Sequence, residues 1–154
     1  MANRSDEPLS ATEQFKIGCR YRDGDGVRQD NATAIEWYKK AAAQGHTWAM
    51  WWIAAIYYKA AQNNRKNPFK RLFASRTGNP NIASAIEWYE KVVTDGNDDQ
   101  RRDNALCRLA EIYSDGELVK PNREKALEYL RAVPDSSSCS DVVCEMLKEI
   151  DEAK

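Results

Sequence analysis

The chain has 154 residues and a formal net charge of −1. That length allows one ordinary domain with a proper core, and the near-zero charge gives no global pull towards nucleic acid or an anionic membrane. The charge is unevenly spread: residues 1–80 hold 13 Lys/Arg and 7 Asp/Glu, whereas residues 81–154 hold 10 and 17. Such a lengthwise dipole can orient a charged partner and says nothing about fold.

The first ten residues are polar, with no apolar run of the signal-peptide kind. The longest apolar run, residues 48–58, is shorter than the roughly 20 residues that span a bilayer. A cytosolic location and no membrane contact are the expectations. Cys19, Cys107, Cys139 and Cys144 show no Cys-x-x-Cys spacing, and His46 is the single histidine. A zinc site needs about four closely spaced ligands. No metal site is expected, and the thiols read as reduced structural residues.

In chain order, Ser10-Ala11-Thr12-Glu13 is a capping box that starts a first helix. Ala11, Phe15, Gly18 and Tyr21 form its apolar stripe, and Asp23-Gly24-Asp25-Gly26 stops it. Asp30 or Asn31 caps a second helix whose packing face is Ala34, Trp37, Tyr38, Ala41 and Ala42. Gly45 ends it, and His46 reads as a solvated turn residue. A third helix runs from 47 to about 61 and is apolar on every side. Residues 62–80 then break the pattern. From Lys59 to Arg76 there are six basic residues and no acid, interleaved with Phe69, Leu72 and Phe73. A fourth helix is expected over about 81–94, a polar connector over 97–102, and a fifth helix over about 99–114. Pro121-Asn122 introduces a sixth helix that ends before Pro134. Residues 139–153 read as a final helix with a charged face, suited to an end-cap.

These helices repeat. Ala34-Ile35-Glu36-Trp37-Tyr38 returns unchanged as Ala85-Ile86-Glu87-Trp88-Tyr89 and, blurred, as Ala126-Leu127-Glu128-Tyr129-Leu130. The first and third copies keep a constant offset of 92: Ile17 matches Leu109, Gly18 matches Ala110, Tyr21 matches Tyr113, and Gly24 matches Gly116. Between the first and second copies the leading helices are 36 apart and the following helices 51 apart. The difference of 15 is the basic insertion, and a further five residues enter at the 97–102 connector. A two-helix period near 36 is tetratricopeptide-like. Small residues (Gly18, Ala54, Ala110) let paired helices approach. The aromatics Tyr21, Tyr57, Tyr113, Trp37, Trp88 and Tyr129 are expected to fill the gaps between pairs.

The string Ile17-Gly18, Tyr21, Gly24-x-Gly26-Val27, Ala34, Trp37-Tyr38, Ala41-Ala42, Gly45 resembles the Sel-one-like repeat. The resemblance covers about residues 10–135 and is weaker in copies two and three. Copy two has Ala60 where copy one has Gly24. It implies an all-α, right-handed α–α superhelix of about three helix pairs (about 10–45, 46–96 and 97–135) with a C-terminal cap over 138–154, in one domain. It also implies that the first helix of each pair lines a concave face that binds a partner protein. Some family members bridge each helix pair with a disulfide. The cysteines here do not fall at matched places, so that is not expected.

The register singles out a site. Thr12, Trp48 and Asn104 are equivalent, as are Lys16, Trp52 and Arg108. Trp48 and Trp52 are one helical turn apart at positions that are polar in the other copies. Two alternatives stay open: they are hot spots of a partner groove, or the insertion folds over them through Phe69, Leu72 and Phe73. In the second case Arg65, Lys66, Lys70, Arg71 and Arg76 would meet an acidic surface. The expected partner-binding set is therefore Trp48, Trp52, Lys16, Arg108 and Lys59, with Arg65, Lys66, Phe69, Lys70, Arg71 and Phe73 from the insertion. No nucleophile–base pair, phosphate loop or dinucleotide motif is present, so no catalytic residue or cofactor is expected. The expected function is a non-enzymatic adaptor for one partner protein. By analogy with small bacterial relatives, one form is an immunity protein neutralising a toxin. The alternatives are a regulatory scaffold in signalling or secretion and a nucleic-acid-associated protein.

Overall fold

The computed structural model describes residues 8–66, 80–114 and 117–134, with Ser137, Glu145 and Lys148 beyond them. Among these residues there are six helices and no strand: α1 (Ala11–Asp23), α2 (Asn31–Ala43), α3 (Thr47–Lys66), α4 (Pro80–Asp95), α5 (Asp99–Ser114) and α6 (Arg123–Arg131). They pair as α1/α2, α3/α4 and α5/α6. Each pair packs on the next, α2 on α3 and α4 on α5. This is an all-α solenoid of helix pairs, in which α1, α3 and α5 are the leading helices. Most of the expected end-cap helix lies outside the described residues; Glu145 and Lys148 are helical and exposed.

Local chemistry sets the helix ends. The Ser10 hydroxyl accepts from the Glu13 N–H, and the Glu13 carboxylate accepts from the Ser10 N–H. Gly24, at φ 76°, closes α1 in the left-handed conformation. The Asp30 side chain caps α2 and the Asn122 side chain caps α6. Asp30 N–H donates to Tyr21 O, and Asn122 N–H donates to Tyr113 O, both at 2.9 Å. Both residues are displaced by the repeat offset, so the same loop closure is built twice.

The core repeats as well. Tyr38 and Tyr89 are buried, and Leu130 takes their place in the third copy. Phe15 meets Tyr38 with ring centroids 5.5 Å apart, and the equivalent Trp51 meets Tyr89 at 5.2 Å. In the third copy Cys107 and Leu130 share a cluster with Leu106, Ala110 and Val133. Burying each such side chain contributes about 1.5–3 kcal/mol. The expectation that Trp37 fills a gap between pairs needs correction: it is half-buried and lies outside the main core cluster, whereas Trp88 is half-buried and packs against that cluster. The ammonium of Lys40 lies 4.0 Å above the Trp37 ring and that of Lys91 lies 4.3 Å above Trp88. The tyrosine of each Trp-Tyr pair is the core residue.

Three local expectations change. First, α3 does not stop near 61; with Ala60 in place of a glycine, nothing forces the left-handed turn, and the helix runs to Lys66. Second, the connector over 97–102 is shorter than expected, while the helix expected over about 99–114 is found. Only residues 96–98 lie between helices, and 99–102 form an extra first turn of α5. Third, His46 is not simply solvated. Its ring stacks on Phe15 at 4.4 Å, and its Nδ1 accepts from the Ala49 N–H at the start of α3.

Candidate functional site

α3 carries an aromatic strip on the face it shares with α1 and α5. Trp48 and Trp52 lie one turn apart along it, Trp52 on its α1 side, and Tyr58, seven residues after Trp51, flanks them on the α5 side. Trp48 is 39% exposed, one of two large apolar side chains so exposed among the described residues; Leu9 is the other. Trp52 is half-buried.

Each member of the strip is covered by an arginine from a neighbouring leading helix. The Arg101 guanidinium lies 3.5 Å above the Trp48 ring centroid and 5.9 Å from that of Trp51. Arg22, from α1, lies 3.8 Å above Trp52. Arg108, from α5, lies 5.5 Å from Tyr58. The strip is thus neither bare nor roofed by acids. Cations stacked on the π faces keep it amphipathic.

Two of the three arginines are held by carboxylates. Arg22 donates to both Asp23 oxygens, at 2.7 and 2.6 Å. That bond holds the Asp23 carboxyl below its usual range and raises Arg22. Arg108 is ion-paired with Glu111. Burial opposes the charge on Arg108, but the neighbouring Glu111 and the Tyr89 and Tyr58 rings raise its pKa overall. Among the described residues Arg101 forms no ion pair, and its Nε is closed to water without an acceptor. Its backbone N–H is anchored by the Asp98 side chain at 2.9 Å.

The expected residues fall out as follows. Lys16 is exposed on α1, and Lys59 and Lys66 are exposed on the far half of α3. Arg65 also lies on α3. Trp48, Trp52 and Arg108 belong to the strip. Phe69, Lys70, Arg71 and Phe73 lie outside the described residues, as does any cover they give the tryptophans. Arg22 and Arg101 were not expected. Arg101 sits in the extra turn of α5, whose four residues, 99–102, are among those that break the repeat register. That register break was the available signal. Cys19 is a thiol, and the Tyr38 hydroxyl donates to its Sγ at 3.4 Å; Cys107 is buried. Among the described residues, no cluster of His, Cys, Asp and Glu could hold a metal ion, and no helix is long and apolar enough to cross a membrane.

The Sel1 repeat model matches residues 14–46, 75–97 and 103–132, together more than half of the chain. Between its first two matches it passes over residues 47–74, which hold α3 and most of the basic segment. Among solved structures, a Sel1 repeat protein from Oxalobacter formigenes is 22% identical, with a TM-score of 0.54 over 92% of this chain and 88% of that one. A protective antigen of uropathogenic Escherichia coli strains that displays an SLR fold is 18% identical, with a TM-score of 0.32 over 94% of this chain and 42% of the other. No curated protein matches the sequence. Three matched segments, the first and third on the helix pairs α1/α2 and α5/α6 and the second on α4, settle the kinship: the chain belongs to the Sel1 repeat family, whose members generally serve as scaffolds for contacts between proteins.

Proposed function

We propose that this protein is a non-enzymatic, cytoplasmic adaptor that holds one partner protein against the concave side of its leading helices. The strip Trp48–Trp52–Tyr58 is the centre of the contact. Lys16, Lys59, Lys66 and Arg108 border it, and the basic segment with Phe69, Lys70, Arg71 and Phe73 extends it. The observation that carries the reading is Trp48, a large indole left well exposed on the family's working face with Arg101 stacked on it. Tryptophan and arginine are the residue types most enriched among interface hot spots, and truncating such an anchor costs about 2 kcal/mol or more of binding. The helix that bears the strip falls between the first two segments that the repeat model matches. A surface so particular to this chain favours a dedicated single-partner inhibitor, such as an immunity protein that neutralises a toxin, over a general scaffold.

The test is affinity capture on the immobilised full chain, quantified for wild type, for Trp48→Ala/Trp52→Ala and for Trp37→Ala/Trp88→Ala. The second pair of tryptophans lies on α2 and α4 and is also partly exposed. Loss of the captured protein with the first double variant alone is the expected result. Equal loss with both, or with neither, overturns the assignment of the face.

A further inference from the structure

The overrun of α3 adds Asn63 to the wall of a cleft. In copy one, Gly24 turns the chain away at the end of α1. In copy two, Ala60 occupies that register position and the helix continues to Lys66. The second half of α3 therefore rises beside the end of α1 and the start of α2. Between them lies a cleft of about 620 Å³. Trp52 and Ile56 give it an apolar side, Arg22 and Lys59 its cations, and Asn31 and Asn63 amide groups. The strip and the cleft share Trp52 and its Arg22 cap, so the two are continuous.

The charge of the cleft has one sign to spare. Its one carboxylate, Asp23, is already engaged by two nitrogens of Arg22. The third, Nη1, is closed to water and has no acceptor. Lys59 is exposed and takes part in none of the ion pairs among the described residues. From Lys59 to Lys66 the helix carries Lys59, Arg65 and Lys66 and no acid. An apolar side next to unpaired positive charge and amide donors fits a carboxylate borne beside an aliphatic or aromatic group. A volume of this size holds one or two side chains.

Resting on the proposal that the leading-helix face binds a protein, we infer that this cleft is its specificity pocket. It receives an Asp or Glu, with an apolar neighbour, from an extended acidic segment of the partner. Lys59 meets the carboxylate, Asn63 and Asn31 hydrogen-bond the segment, and Trp52 and Ile56 take the apolar neighbour. Asn63 lies past the glycine stop that copy two lacks, so that part of the pocket is particular to this chain.

The test pans a random peptide library displayed on phage against the full chain. Selected peptides are then labelled and their affinities measured by fluorescence anisotropy. Enriched peptides are expected to share an Asp or Glu beside an apolar residue. Changing that acid to Gln, or making Lys59→Glu or Asn63→Asp in the protein, should weaken binding about ten-fold or more. Reversing the peptide's acid to Lys should restore binding to the Lys59→Glu protein. Both substitutions are on an exposed helix surface and leave the core untouched. No enrichment, enrichment without an acid, or affinities indifferent to both protein variants overturns the inference. Peptides that need Trp48 but not Lys59 or Asn63 would sink the pocket and leave the proposed face standing. Tighter binding of a mixed-sequence single-stranded DNA than of any selected peptide would also overturn it.

Discussion

A β-carbon placed on Gly18 would lie 2.5 Å from Cε1 of Tyr38. Gly18 is buried in the middle of α1, and Tyr38 is the fully buried aromatic of α2. Their contact sets how closely the first helix pair approaches. In the third copy both positions change together: Ala110 stands for Gly18 and Leu130 for Tyr38. In the second copy Ala54 stands for Gly18 while the ring is kept as Tyr89, so the approach that leaves no room for a methyl belongs to the first pair.

Gly18→Ala should therefore destabilise the fold although it places a better helix former inside a helix. Overpacking costs about 1–3 kcal/mol. The gain in helix propensity offsets about 1 kcal/mol of that. A net loss is expected in urea denaturation. Gly18→Ala/Tyr38→Leu should be less destabilised than the two single losses added together, and a strictly additive pair would show that the ring does not set the approach.

Arg101 keeps one face of Trp48 from solvent. Arg101→Ala should raise the iodide quenching of tryptophan fluorescence, and the rise should vanish in a Trp48→Phe background. The stability loss should stay within about 1 kcal/mol, the usual size of a partly exposed cation–π contact. An unchanged quenching constant would contradict the stacked arrangement.

His46 predicts a pH dependence. Burial against Phe15 lowers its pKa below the ordinary value of about 6.5. A base whose folded pKa is lowered contributes its stability above the unfolded value. That contribution falls away as the pH drops below about 6.5 towards the folded pKa. Glu13, Asp23 and Asp30 have lowered values too, and their share is lost only below about pH 4. The unfolding midpoint should thus fall between pH 7 and 5 in the wild type. It should stay level across that range in His46→Asn, which keeps a capping oxygen for α3. A wild-type midpoint that is flat there would refute the assignment.

Much of the architecture was legible without coordinates because its causes are local. A capping box, a left-handed glycine and an apolar stripe each act within a few residues, so the bounds of α5 and the cap of α1 could be read directly. The repeat offset carried that reading across the chain, and the pairing Trp48–Trp52 followed from it. The tertiary structure decided what covers those side chains. Arg22 reaches Trp52, Arg101 reaches Trp48 and Phe15 reaches His46 across separations of tens of residues. No local periodicity encodes such contacts; they depend on how the helices lean on one another. It also decided the length of α3. A missing glycine removes a stop but does not say how far a helix will run, since that depends on what the added turns can pack against.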